Sequence, residues 1–250
     1  MTFRKLRGAA LCLATLMIGA LAACSHDDDQ IDLLHEDALV WDTHNDLAYR
    51  ILYEQLDIGE RLPAGHVDIP RLEEGGVDVQ TIALYVENFL YEMPGQCSRQ
   101  AHELLSATKA AIEQNSDRVE LARTGADVER IVASGKIAMP IAIEGGHAIE
   151  ASLDKLREFH ELGVSSMTLT HNVSHDWADA GADDPRWGGL NDLGRDVVRE
   201  MNDLGMVIDI SHVSDSTFFD VIETTEDPVI ASHSGCRALN DHHRNMSDDE

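Results

Sequence analysis

Cysteine, basic residues and long apolar runs are all scarce in this 250-residue chain, and each scarcity argues against a class of protein. Four cysteines with no C-x-x-C pair speak against a thiolate metal cluster. With Lys+Arg 19 against Asp+Glu 46 the formal charge is −27, and so acidic a surface repels nucleic acid and anionic lipid. The apolar run from Ala9 to Leu21 falls short of the roughly 20 residues of a membrane span. No Gly/Ser linker, low-complexity block or short repeat divides the chain. The residues beyond the amino-terminal segment, about 220, suffice for one domain with a substantial core.

What is present begins with a targeting segment. Arg4, Lys5 and Arg7 precede the apolar run, and Ala22-Ala23-Cys24 and a polar Ser25-His26-Asp27 follow it, which are the three regions of a secretory signal. Leu21-Ala22-Ala23-Cys24 further resembles a bacterial lipobox. That predicts a signal peptide over 1–23, lipid modification of Cys24, a polar tether over 24–36 and a domain over 37–250. The expected location is the bacterial cell envelope, anchored by lipid or secreted to the periplasm; an ordinary signal peptide with a chance cysteine is the plainer alternative. Loss of three basic and no acidic residues with the signal takes the charge from −27 to −30. Cys97 and Cys236 remain, and a disulfide suits the exterior, but sequence separation does not establish proximity.

Six apolar, β-rich runs recur at 38–41, 77–86, 137–143, 165–169, 206–210 and 228–231. Helical periodicity fills most of the gaps. Ser152 is placed to cap a helix whose Leu153, Leu156, Phe159 and Leu162 share a face, with Gly163 at its end. Leu193, Val197, Val198, Met201 and Leu204 repeat that design before Gly205, and 99–114 and 214–224 also read as helices. Alternating strands and helices predict an α/β fold with a parallel sheet. A doubly wound open sheet and a TIM-like (β/α)8 barrel both satisfy the order. The barrel is favoured, incomplete at about six of eight βα units: a barrel typically takes about 250 residues, more than 37–250 supply, and 245–250 read as the lead-in to another helix.

Chemistry gathers where those strands end. His44 and Asp46 follow the first, and as i and i+2 of an extended segment they point the same way. Glu144-Gly145-Gly146-His147 follows the third, Thr170-His171-Asn172 the fourth, Ser211-His212 the fifth and Ser232-His233 the sixth. In a barrel all these ends open onto one face. A lone histidine after a strand is more often structural than a ligand, but the repetition reverses that weighting. Glu144 ends a wholly apolar run, where an ionised carboxylate is costly unless paired or metal-bound, and the two glycines permit close backbone approach. Imidazole plus carboxylate without thiolate suits zinc or another first-row divalent ion. The count suggests two: His44 and Asp46 holding one, His212 and His233 the other, Glu144 bridging. Paired metals roughly 3.5 to 4 Å apart activate a shared water against a carbonyl, so hydrolysis is the natural reaction.

These residues resemble the membrane (renal) dipeptidase family of zinc hydrolases. The matching pieces are Asp42-Thr43-His44-Asn45-Asp46, Glu144-Gly145-Gly146-His147, Thr168-Leu169-Thr170-His171-Asn172, Trp177-Ala178-Asp179, 208–214, 228–234 and Arg244-Asn245, in family order. The resemblance implies a metal-dependent hydrolase barrel that cleaves dipeptides with two Zn2+ per chain. It also implies that His171 contacts the scissile carbonyl or the tetrahedral intermediate, and that Arg244, which otherwise reads as a surface charge, pairs with the substrate carboxylate. His147, His175, His242 and His243 are left as structural or solvent-exposed. Family members carry a further acid/base aspartate after the last barrel strand, and no residue here matches it. The expectation is therefore a dipeptidase gene product whose 250-residue piece is inactive and whose strands 1 and 6 keep unpaired outer edges. Another binuclear amidohydrolase-type barrel is disfavoured by the carboxylate of His44-x-Asp46, since such enzymes usually begin H-x-H; a lipid-anchored binding protein with a degenerate site is the reading from another class. A small dipeptide is the expected partner and nucleic acid is not; membrane contact is expected through the anchor only, and a homodimer is left open.

Overall fold

The computed structural model describes residues 34, 35 and 37–250, so the predicted signal, Cys24 and nearly all of the tether lie outside the described residues. Residues 41–250 form one compact unit. Its strands are β1 (Trp41–Asp42), β2 (Val79–Gln80), β3 (Ile82–Tyr85), β4 (Val119–Ala122), β5 (Ile137–Glu144), β6 (Val164–Thr168) and β7 (Val207–Asp209). The helices are α1 (Leu47–Glu54), α2 (Ile69–Glu74), α3 (Gln96–Gln114), α4 (Gly125–Ala133), α5 (Leu153–Leu162), α6 (Asp192–Leu204) and α7 (Asp215–Thr224). No helix among the described residues is long and apolar enough to cross a membrane.

Every strand pairing is parallel, as the alternation of elements requires. β5 is the hub. Its eight residues are all buried, the near-continuous apolar pattern of a strand covered on both faces. β2 and β3, in effect one strand interrupted at Thr81, run along one side of it, while the other side is shared: β4 pairs with Ile137 to Pro140 and β6 with Ile141 to Glu144. β7 lies beyond β6, and Ile230 bridges to Asp209 beyond that. The sheet curls, so that Thr43 Oγ1 donates to Ser232 O at 2.6 Å, joining the end of β1 to the segment after Ile230 at the carboxyl rim. Below that contact lies a cavity of about 260 Å³ lined in part by Trp41, Pro140, Val207 and Ile230. The arrangement is the incomplete TIM-like barrel expected.

The predicted helices form for the predicted reasons. Ser152 Oγ accepts from Lys155 N–H, and Gly163, at φ 109°, ends α5 in a conformation that favours glycine. Leu156 and Phe159 face the core, each fully buried, and burying side chains of this size contributes about 1.5–3 kcal/mol apiece; Leu162 faces outward instead. α6 repeats the design with Asn191 as cap and Gly205 as terminator. Three expectations need correcting. Of the run 38–41 only Trp41 is strand, extended by Asp42. Of 228–231 only Ile230 makes ladder contacts, since among the described residues no strand pairs on its outer side and Pro228 has no N–H to offer. Val119–Ala122 is a strand that a four-residue stretch containing Glu120 did not announce; α4 follows it, started by a reciprocal Thr124–Asp127 capping box.

Candidate metal centre and active site

The carboxyl ends of β1, β5, β6 and β7, with the segment after Ile230, bring the predicted residues to one place. His44 Nε2 lies 3.6 Å from Asp46 Oδ1 and 3.6 Å from Glu144 Oε2. His212 Nε2 and His233 Nε2 lie 3.1 and 3.4 Å from the other oxygen, Glu144 Oε1. Each carboxylate oxygen thus faces a different set of donors. The His44 and His233 rings approach to 3.8 Å between centroids. An open cleft of about 390 Å³ is lined by these five side chains together with Tyr85, His171 and Arg244.

Glu144 is 3% exposed. Burial opposes its charge, but His212, His233 and His44 outweigh it and hold the carboxyl far below the usual carboxylate range. Burial also opposes a charge on His44, yet its hydrogen bonds to Asp46 and Glu144 push that imidazole up to about 10. His212 is lowered, chiefly by burial. Its backbone sits at φ 70°, a left-handed conformation that costs a non-glycine residue on the order of 1 kcal/mol. At Gly146, by contrast, a Cβ would run into the Trp177 ring and the Leu169 carbonyl, so the close approach permitted by glycine is used.

The far nitrogens of two imidazoles decide what the centre can hold. His212 Nδ1 donates to Asn172 Oδ1 at 3.2 Å. Ser232 Oγ donates to Asp209 Oδ2 at 2.6 Å, which leaves it to accept from His233 Nδ1 at 2.7 Å. Both rings therefore carry a proton on Nδ1, and in the neutral form their Nε2 lone pairs would face each other at 2.8 Å. Two lone pairs that close repel unless a cation lies against them, so the residues fit a divalent metal. Asp209 is buried and also accepts from Thr168 Oγ1 and from the backbone N–H of Ser211 and Ser232. Sequence reasoning missed Asp209 as a brace, although its signal was that of Glu144: a carboxylate inside an apolar run.

His171 and Arg244 both line the cleft. His171 is pushed down to about 4 by burial, and one of its ring nitrogens lies within 4.8 Å of donor atoms of Glu144 and His212. Arg244 donates from Nη2 to His233 O at 3.1 Å, and burial lowers it; a half-buried guanidinium at a cleft wall is not the surface charge its sequence context suggests. His147 and His175 are buried, each donating from Nε2 to a carbonyl, Val86 O and Leu169 O, and burial lowers them to about 4 and about 3. His242 and His243 are exposed. Asp179 of the Trp177-Ala178-Asp179 motif is a clamp: its carboxylate accepts from the backbone N–H of Arg186, Trp187, Gly188 and Gly189. Cys97 is buried, Cys236 is exposed, and neither is in a disulfide.

A parallel barrel-type sheet with imidazoles and carboxylates gathered at its carboxyl rim defines a metal-dependent barrel protein. Residues 28–250 match the family described as Membrane dipeptidase (Peptidase family M19), and the chain belongs to that family. It is 36% identical over 220 residues to the dipeptidase tcpJ of Claviceps purpurea, covering 83% of this chain and 52% of that protein. It is 35% identical over 222 residues to the dipeptidase verJ of Clonostachys rogersoniana, covering 83% and 57%. The chain thus spans little more than half the length of these curated relatives. Among solved structures, a metallopeptidase from Rhodobacter sphaeroides, liganded with a phosphinate mimic of the dipeptide L-Ala-D-Ala, matches with a TM-score of 0.76 at 26% identity, over 84% of this chain and 69% of that one.

Proposed function

We propose that the chain carries the metal-binding half of a dipeptidase. The observation that supports this most is Glu144, whose two oxygens face separate donor sets, His44 with Asp46 and His212 with His233. Each set would hold one zinc ion with Glu144 between them. Two bound ions would lower the pKa of a shared water and polarise the scissile carbonyl. The protein's own groups would do the rest. Arg244 would pair with the free carboxylate of a dipeptide and set its register. His171, kept neutral by burial, would donate to the carbonyl oxygen as negative charge builds there. The wall of the cleft offers no carboxylic acid other than Asp46 and Glu144 among the described residues, and both would be committed as ligands. The leaving amine would therefore lack a carboxyl proton donor, and the 250 residues alone would be inactive. The lipobox-like Leu21-Ala22-Ala23-Cys24 supports attachment to a bacterial envelope by a lipid anchor.

The test is metal analysis of the purified chain with dipeptide hydrolysis measured beside it. The expected result is two equivalents of zinc, removed by a chelator and restored by zinc addition, with no appreciable hydrolysis. A folded chain that retains no zinc would overturn the reading. A single equivalent would remove the paired centre, and turnover near the typical enzyme median of about 10 s⁻¹ would remove the inference about the proton donor.

A further inference from the structure

His171 has two geometrically open roles. One of its ring nitrogens lies within 4.8 Å of donor atoms of Glu144 and His212, and a nitrogen turned to the cleft either ligates a cation with its lone pair or, if protonated, donates a hydrogen bond there. A neutral imidazole cannot do both from one nitrogen, and the partner of the other nitrogen decides which.

That partner is Asn88. Its side-chain nitrogen lies 2.9 Å from His171 Nδ1, and its oxygen is farther away at 3.2 Å. The ring has little freedom to escape this contact, because Tyr85 packs edge-on at 4.7 Å between centroids on one side and His212 lies at 4.4 Å. Asn88 is itself held in place. It opens a 3-10 turn over Asn88–Glu92, and the preceding Glu87 is anchored three ways: Tyr49 and Tyr85 donate their hydroxyls to its carboxylate, and its N–H donates to Gln100 Oε1.

We infer that Asn88 is the positioning residue for His171: its amide donates to Nδ1, which fixes the ring proton on Nε2 and makes that nitrogen a donor into the cleft rather than a further metal ligand. The use of that donor rests on the dipeptidase reading, whereas the position of the proton does not. An amide suits this task better than a carboxylate, which only accepts and would draw the proton onto Nδ1, freeing the Nε2 lone pair for a cation.

The tautomer is read by two-bond nitrogen–proton NMR of the metal-free protein labelled at histidine, with His171 assigned by Ala substitution. In the wild type the expected pattern is a lone-pair Nδ1 and a protonated Nε2. Asn88→Asp is expected to bring a proton onto Nδ1, and Asn88→Leu, which offers neither donor nor acceptor, to move the Nδ1 resonance from the lone-pair position toward the averaged one. Unchanged signals from the other histidines certify that each variant is folded. A protonated Nδ1 in the wild type, or an Asn88→Asp spectrum unchanged at His171, overturns the inference. Neither result depends on hydrolysis, so failure here and failure of the dipeptidase reading are separate findings.

Discussion

The two poles of the proposed metal centre are built differently. His44 and Asp46 come from one loop two residues apart, and the Asp46 side chain is 66% exposed with His44 as its ion-pair partner. His212 and His233 come from separate loops, and each has its far nitrogen engaged, one by Asn172 and one by Ser232 backed by Asp209. The first pole is local and open to water; the second is tertiary and braced. A pre-oriented imidazole loses less freedom on ligation, so the braced pole should hold its ion more tightly than the open one.

Three experiments test that contrast, and a fourth tests the buried imidazoles beside it. Glu144→Gln should have the largest effect, because it weakens the one group shared by both poles: zinc content measured by atomic emission should fall from two equivalents to near zero. Asp46→Asn should cost one ion and leave the other, so a stoichiometry near one identifies the His212 pole as independent; loss of both would show that the poles bind only together. Asp209→Asn removes a brace but no ligand, and a competitive chelator titration should find one site weakened about 10- to 100-fold. If the weakened site is the Asp46 side, the contrast is wrong. The smallest effect per step concerns imidazoles outside the centre. His147 and His175 are neutral in the fold because burial lowers them to about 4 and about 3, so the unfolded chain binds more protons below pH 6.5. Their contribution is intact above that pH and is lost as pH falls toward those two values, at about 1.4 kcal/mol per unit per histidine. Urea midpoints of the metal-free chain between pH 7 and 5 should decline accordingly, and His175→Gln should flatten the decline.

The open pole was legible in the sequence and the braced one only half so. His44-x-Asp46 is visible as an imidazole and a carboxylate two residues apart, although β1 ends at Asp42 and Asp46 opens α1 at φ −82° and ψ 23°, so a turn rather than strand alternation brings them together. Glu144 is visible because a carboxylate ending an apolar run needs a partner. His212 and His233 could be nominated as strand ends. That their Nε2 atoms meet at 2.8 Å, and that Asp209 reaches His233 through Ser232, depends on β7 and the Ile230 bridge lying side by side, which no local pattern encodes. The same limit applies to Asn88: it sits in a short turn far from His171 in sequence, with no periodicity to flag it. In the fold, Ser152, Gly163 and Gly205 announced their helix ends through side-chain chemistry and backbone freedom. Val119–Ala122 was missed because a four-residue strand against the lower half of β5 is defined by its neighbour rather than by its own composition.

β5 is the only described strand that pairs with four others, and Glu144 is its last residue. The Glu144 carboxylate therefore reaches its place only when most of the sheet has assembled around that strand. If the site holds zinc as proposed, its uptake should work as an assembly reporter: a kinetically trapped or partly unravelled molecule would be unable to retain the metal, and loaded molecules would be selected for correct folding by the metal itself.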